Sequence, residues 1–289
     1  MKKQGKLLLD FGSGSAKLYL DGNLIETRNS AIPNYKQGNL DELHLVERGT
    51  IVDFEGGKNF LNQVLRKLVN EKRIWPRFDG YYLLPSDSSQ VDQIIVKKIL
   101  NSLDYGSWQL VKKSQVAKAK GGCVIDIGFD LTEIILGFGG RKQEAKTLKI
   151  GSRSFTNTIR EVVREKYQLD VSWQVADRVK REIVGKDFLL STEKNTQKIT
   201  IRGKDIYTFV PKTVTINAVD LQNPLLEIAN DFFEDLKLYF SQISTDLLMN
   251  SIEEGVELWG EGSKLAGFEN FLAQKLQTRV NLSQAHYEV

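Results

Sequence analysis

The sequence predicts an α/β protein of two lobes around a shared cleft, and three observations carry that prediction. An apolar strand ending in Asp-x-Gly, a polar turn and a second strand occur twice. Around and between the two copies, strand-like and helix-like periodicities alternate. No Pro/Gly/Ser-rich or low-complexity linker separates independent modules, so the lobes are expected to join by short crossovers.

The first copy runs from Leu7 to Leu20 and contains Asp10, Gly12, Ser13, Gly14, Ser15 and Lys17; the second runs from Cys123 to Leu136 and contains Asp126, Gly128 and Thr132. Glycine at a strand end lets the backbone bend and lets peptide N–H groups approach an anion closely. An aspartate beside such a turn can hold Mg²⁺ or its waters. Ordinary β-hairpins are also rich in Gly, Ser and Asp at their turns. The recurrence of Asp-x-Gly at matching places favours a ligand shared between two related lobes.

Lys58 to Val69 has helical spacing, with Phe60, Leu61, Val64, Leu65 and Leu68 on one face. Tyr81 to Leu84 reads as a strand stopped by Pro85, and Val91 to Leu103 as a helix with Val91, Ile94, Ile95, Ile99 and Leu103 inward. After the second hairpin, Gly151 to Tyr167 and Ser172 to Ile183 read as helices, the first burying Phe155, Ile159, Val162 and Val163. Lys198 to Ile216 reads as strands, and Leu225 to Leu248 as one long amphipathic helix. Val256 to Trp259 is a strand entering the turn Gly260-Glu261-Gly262, followed by a helix at Phe268 to Leu276 and a strand at Arg279 to Leu282. The expected lobes are 1–120 and 121–289, with a small subdomain near 184–222.

Composition narrows the function classes. Of 289 residues, 41% are hydrophobic and 27% charged, enough for one large core or two medium ones. Lys plus Arg number 40 against 37 Asp plus Glu, a balance with no electrostatic footprint for nucleic acid. One cysteine, Cys123, excludes an internal disulfide framework and suits a reducing compartment, so the cytoplasm is expected. The basic start Met1-Lys2-Lys3 leads into only three leucines before Asp10, which argues against export. No apolar run approaches the roughly 18 to 20 residues that span a bilayer, so any membrane contact is expected to be peripheral, at the inner face. His44 and His286, far apart in sequence, are expected at the surface.

Several segments resemble the MreB family of bacterial actin homologues. Arg48-Gly49-Thr50-Ile51-Val52-Asp53-Phe54-Glu55 is similar to that family's Gly-Val-Ile-Ala-Asp-Phe stretch. The run from Ile150 through Tyr167 to Ala176-Asp177-Arg178-Val179-Lys180-Arg181-Glu182-Ile183 resembles the family's Ala-Glu-Arg-Ile-Lys helix and its approach. Pro211 to Asn217 is a third match, and Gly260-Glu261-Gly262-Ser263-Lys264-Leu265-Ala266-Gly267 resembles the adenosine-side glycine loop. The matches run in order over nearly the whole chain.

The resemblance implies a two-lobed actin-like ATPase fold, two ribonuclease H-like lobes around a nucleotide cleft. It implies ATP and Mg²⁺ as ligands, with Asp10 and Asp126 toward the metal. Asp10, Gly12, Ser13, Gly14, Ser15 and Lys17 would form the first phosphate loop, and Asp126, Gly128 and Thr132 the second. Asp177 and Lys180 would flank ribose and base, and Gly260 and Gly262 the adenosine. Head-to-tail self-assembly into open filaments for cell shape would follow.

Departures from the family pattern are concentrated in the same loops. Where the family has Asp-x-Gly-Gly-Gly-Thr-Thr-Glu, Gly128 is followed by Phe129, Asp130 and Leu131, whose side chains would crowd or repel phosphate. Leu110-Val111-Lys112-Lys113-Ser114 resembles the family's Leu-Ile-Glu-Glu-Pro segment, with lysines where a water-orienting carboxylate is expected. An ammonium cannot accept a hydrogen bond from water, so ATP hydrolysis is expected to be weak or lost. Trp259 and Glu261 also alter the glycine loop. The region between Ile32 and Glu47, and the part that follows the last strand in the family, read as shortened; both resemble regions used for filament or membrane contacts. The alternative is a nucleotide-independent scaffold that recruits membrane proteins, resembling PilM or FtsA, since Asp10 to Lys17 is also similar to the PilM first loop. A sugar kinase or chaperone ATPase of the same fold is disfavoured by the missing carboxylate and the missing substrate domain.

Overall fold

Each half of the chain folds into a five-stranded mixed sheet of the same topology. The computed structural model describes residues 5–33, 42–71, 73–74, 76–138, 143–185, 187–191 and 196–288. The basic start at Met1 to Gln4, the middle of the segment between Ile32 and Glu47, and Val289 lie outside the described residues.

The first half contributes β1 (Lys6–Phe11), β2 (Ser15–Leu20), β3 (Asn23–Asn29), β4 (Ala31–Pro33), β5 (Glu42–His44), β6 (Val46–Glu47), β7 (Thr50–Ile51), α1 (Phe54–Asn70), β8 (Asp79–Leu84), α2 (Gln90–Asn101), β9 (Ser107–Lys112) and α3 (Lys113–Val116). The second half contributes β10 (Cys123–Ile127), β11 (Thr132–Leu136), β12 (Glu144–Leu148), α4 (Ser152–Tyr167), β13 (Leu169–Asp170), α5 (Trp173–Glu182), β14 (Lys198–Asp205) and β15 (Pro211–Asn217). It continues with α6 (Val219–Phe240), α7 (Thr245–Glu253), β16 (Val256–Trp259), a 3-10 turn at Glu261–Lys264, α8 (Phe268–Leu276) and β17 (Val280–Leu282).

The sheet orders are β3-β2-β1-β8-β9 and β12-β11-β10-β16-β17. In both, the first hairpin strand pairs antiparallel with its partner on one side and parallel with a later strand on the other. Registers match too, placing Asp10 opposite Lys17 and Asp126 opposite Glu133. Both turns close alike, Gly12 N–H donating to Ser15 O (3.0 Å) and Gly128 N–H to Leu131 O (2.8 Å). The sequence repeat is therefore a structural repeat.

Helix faces were less legible. α1 starts at Phe54, four residues before the apolar period is visible, because the Asp53 carboxylate caps Gly56 N–H (2.8 Å). α2 buries Val96, Ile99 and Leu100, with Ile95 and Leu103 packed alongside, whereas Val91 and Ile94 face solvent, contrary to expectation. Its first turn is held by a Ser89–Asp92 capping box, and Thr50 Oγ1 donates to Asp92 (2.8 Å), which fixes the helix rotation. The expected single helix from Leu225 to Leu248 is two. α6 begins six residues earlier, admits Pro224 and ends at Phe240, and α7 restarts at Thr245. Acceptance of Lys166 and Tyr167 by Asp220 anchors the early start.

A separate three-stranded sheet has the order β13-β14-β15, its first strand Leu169–Asp170. Separate apolar clusters fill the two halves. A third joins them, with Leu8, Tyr19 and Leu83 meeting Val124, Ile135 and Trp259. Tyr287 completes it from the chain end, edge-on to Tyr19 (5.4 Å) and Trp259 (5.7 Å), beside the Ala117–Tyr287 bridge. This apolar seam fixes the two sheets where their hairpins converge.

Candidate functional site

Asp10 and Asp126 stand near the ends of the equivalent strands β1 and β10. β9 runs parallel to β8 and delivers Lys113, the first residue of α3, to the same place. Lys113 Nζ lies 3.2 Å from Asp10 Oδ2 and 3.1 Å from Asp126 Oδ2, with all three side chains 10–17% exposed. One ammonium therefore bridges carboxylates from the two sheets. Burial opposes the charge on Lys113, but Asp10 and Asp126 outweigh it and hold its pKa well above the usual lysine value. Burial would likewise raise the Asp126 carboxyl, but Lys113 and then Lys17 hold it below the ordinary range.

Next to this bridge, Glu133 accepts hydrogen bonds from Ser86 N–H (3.0 Å) and from the Ser86 hydroxyl, which lies 2.9 Å from Ser114 Oγ. Burial pushes the Glu133 carboxyl up to about 7, against the opposing pull of Lys113 and Ser86.

The second turn reaches across the cleft with three consecutive side chains. The Phe129 ring lies 5.0 Å from the His44 ring and 5.2 Å from Trp173, under the Arg153 guanidinium at 4.8 Å. A Cβ on Gly14 would stand only 3.0 Å from Phe129 Cβ, so Gly14 leaves the space that Phe129 fills. Asp130, buried, accepts from Arg48 N–H (3.1 Å) and pairs with Arg153 Nε (3.0 Å). Leu131 abuts Gly49, where a Cβ would come within 3.1 Å. The cavity left between the turns is about 80 Å³. Ligand pockets are typically ~300–1,000 Å³.

The sequence matches the MreB/Mbl protein family over residues 35–289. The chain belongs to the MreB/Mbl family. It is similar to the cell shape-determining protein Mbl of Bacillus subtilis (strain 168), 23% identical over 256 residues that cover 86% of this chain and 75% of Mbl. It is also similar to the cell shape-determining protein MreB of Escherichia coli (strain K12), 21% identical over 247 residues, 82% of this chain and 70% of MreB. Among solved structures, MreB5 of Spiroplasma citri bound to ADP superposes with a TM-score of 0.82 at 16% identity, covering 98% of this chain and 92% of that one. The MamK double helical filament superposes with a TM-score of 0.68 at 14% identity, over 96% and 94% of the two chains. The fold is the two-lobed actin-like fold, and the chain is by family an actin-like cytoskeletal protein.

In this MreB/Mbl family member Asp10, Gly12, Ser13, Asp126 and Gly128, of the residues singled out in sequence, line one cavity between the turns. Gly12 O accepts from Ser30 Oγ (2.7 Å), Ser13 O from His44 Nδ1 (3.0 Å), and the carbonyl of Ser15 closes the first turn. That contact makes His44 Nδ1 a donor and sets the half-buried ring against Phe129. Gly128 O accepts from Ser152 N–H (2.9 Å). Lys180 Nζ binds Thr156 Oγ1 (2.8 Å), Ser152 O (3.4 Å) and Asp177 (2.9 Å), linking the Asp177–Lys180 pair to the second turn. Burial holds the Lys180 pKa below its usual value. Gly260, at φ +83°, has no room for a Cβ, which would meet Ile127 O at 2.3 Å and Asp126 Oδ1 at 2.7 Å; at Gly262 a Cβ would meet Ile127 Cγ2 at 2.5 Å. Close packing over the end of β10 accounts for both glycines.

Three expectations need correction. Thr132 is fully buried and its hydroxyl donates to Ile150 O (2.8 Å), so it serves the hairpin and offers nothing to a phosphate. Trp259 points into the apolar seam, with Nε1 donating to Ser283 Oγ (2.9 Å), and does not face the cleft. Asp10 and Asp126 do not fit a magnesium site as they stand. Mg²⁺ requires oxygen ligands at ~2.0–2.1 Å in octahedral array. Here an ammonium occupies the bridging position, and a divalent ion added beside it would meet a positive charge. Beside it, the Phe129 ring occupies the space between Gly14, His44 and Trp173.

Proposed function

We propose that this chain is a subunit of an MreB-type filament that contributes to cell shape, assembles head to tail with further copies, and turns ATP over weakly or not at all. The supporting observation is Lys113. Within the segment where the resemblance implies a water-orienting carboxylate, the residue that faces the cleft is a lysine fixed to Asp10 and Asp126. Lys112 is spent otherwise, its N–H capping α3 through Gln115 (3.0 Å). Self-assembly draws support from family membership and from the likeness to MamK, whose structure is a double helical filament. ATP as a ligand draws support from the MreB5 neighbours bound to ADP and AMPPNP, Mg²⁺ rests on the sequence resemblance alone, and the phosphate-side residues of this chain oppose both. We take 1–120 and 121–289 as the two lobes, and place the filament in the cytoplasm with a peripheral membrane or membrane-protein partner at the inner face. Among the described residues no helix is long and apolar enough to cross a membrane.

The sealed cleft also favours a second reading, a nucleotide-independent scaffold that recruits membrane proteins. Sedimentation and electron microscopy of the purified chain separate the two. Filaments are expected, and a chain that stays monomeric at every concentration and in every buffer would leave the scaffold standing. In the same preparations phosphate release from ATP is expected to be undetectable. Loss of one positioned catalytic group costs ~10²-fold or more in rate, and here the phosphate turn is obstructed as well. Brisk hydrolysis would mean that another carboxylate, Glu133 or Asp130, orients the water.

A further inference from the structure

Four contacts tie the lobes across the cleft, and each uses a residue that departs from a phosphate- or metal-binding pattern or sits beside one. Lys113 reaches Asp126, Asp130 reaches Arg48 N–H, Phe129 fills the space against Gly14 and His44, and Glu133 receives Ser86. A lysine meant to grip a phosphate would be free to face it. Lys113 instead has both of its ionic contacts on protein carboxylates, at nearly equal distances, one from each sheet.

We propose that Lys113 is an internal counter-cation: its ammonium takes the place of a divalent metal between Asp10 and Asp126, and with Phe129 in the phosphate space it holds the cleft closed without metal or nucleotide. The inference builds on the reading of this cleft as a rebuilt nucleotide site. Charge balance supports it. Asp10 and Asp126 face Lys113, with Lys17 adding positive potential at Asp126, and Asp130 is matched by Arg153. Each of these three aspartates thus already has a cationic side chain of the protein within 3.0–3.2 Å, in the position a divalent ion would need. Lysine suits the role better than arginine, since a compact ammonium fits between two single oxygens where a planar fork seeks a bidentate partner.

The test is thermal unfolding of the full-length chain in EDTA and in millimolar Mg²⁺, each with and without ATP. The wild-type midpoint is expected to be the same in all four. Lys113→Met, which leaves the two carboxylates facing each other, is expected to melt lower in EDTA and to recover by about 3–5 °C when Mg²⁺ takes the vacated position. A wild-type chain stabilised that much by Mg²⁺ or by Mg²⁺ with ATP overturns the proposal, and so does a folded Lys113→Met variant indifferent to Mg²⁺. Should the variant fail to fold in either buffer, calorimetric titration of Mg²⁺ and of Mg²⁺ with ATP into wild type decides. Absence of binding supports the internal cation and binding overturns it. Filament formation is scored separately, so a chain that never sediments would remove the filament reading and leave the role of Lys113 intact.

Discussion

Lys113→Met is expected to lower the unfolding free energy by about 3–5 kcal/mol in metal-free buffer, the range for removing one partner of a buried ion pair. An exposed pair would be worth ~1 kcal/mol or less, and the 10–17% exposure of Lys113, Asp10 and Asp126 decides between these regimes. The loss comes less from the missing attraction than from two carboxylates left facing each other in a site with little water. Asp126→Asn in the Lys113→Met background should therefore recover part of the loss, although the same substitution in wild type is destabilising. Urea denaturation of the four proteins gives the coupling directly, and an interaction of about 1–3 kcal/mol is expected. Additive losses would show that Lys113 and Asp126 act independently and that the bridge does not join the lobes energetically.

The repeated hairpin was legible because its determinants are local. Leu7 to Leu9 and Cys123 to Ile125 set the strands, and Gly12 and Gly128 set the turns, whatever surrounds them. Features set by distant partners were not. The rotation of α2 depends on Thr50 reaching Asp92, 42 positions apart, so a period read from α2 alone placed Val91 and Ile94 inside. The break between α6 and α7 spans only Ser241 to Ser244, where serine can bond its own backbone, as Ser241 Oγ does to Leu238 O (2.8 Å). Apolar spacing continues across it, and the sequence shows no interruption.

The site was legible as a departure and illegible as a construction. Lys112 and Lys113 stand out as lysines where carboxylates are implied, but composition does not say that α3 begins between them. That boundary spends Lys112 on the cap and turns Lys113 into the cleft. Phe129 reads as an obstruction to phosphate, and in the fold its ring packs against His44, Trp173 and Gly14. Asp130 reads as a repulsion, although in the fold it is a tether, because its partners Arg48 and Arg153 come from segments the sequence cannot place beside it. Reading the altered residues as losses missed that they bind one another.

Glu133 carries the second large effect, and it is a dependence on pH. Burial raises its carboxyl from an ordinary 4.5 to about 7, with Lys113 and Ser86 pulling down and Asp126 pushing up. Between about pH 4.5 and 7 the folded chain keeps a proton that the unfolded chain has released, so stability falls as pH rises through that window and levels off above it. Each unit of separation is worth about 1.4 kcal/mol, so the full fall is about 3–4 kcal/mol. Asp126 works in a different window. Its depressed carboxyl contributes stability at neutral pH that is lost only as pH falls through its folded value, below 3.8. Glu133→Gln keeps an acceptor for both Ser86 donors and cannot ionise. It should lie within about 1 kcal/mol of wild type near pH 5 and exceed it by about 3–4 kcal/mol at pH 8. Urea midpoints measured from pH 5 to 8 report the difference. Parallel curves for the two proteins would mean that Glu133 is ionised in the folded cleft throughout that range.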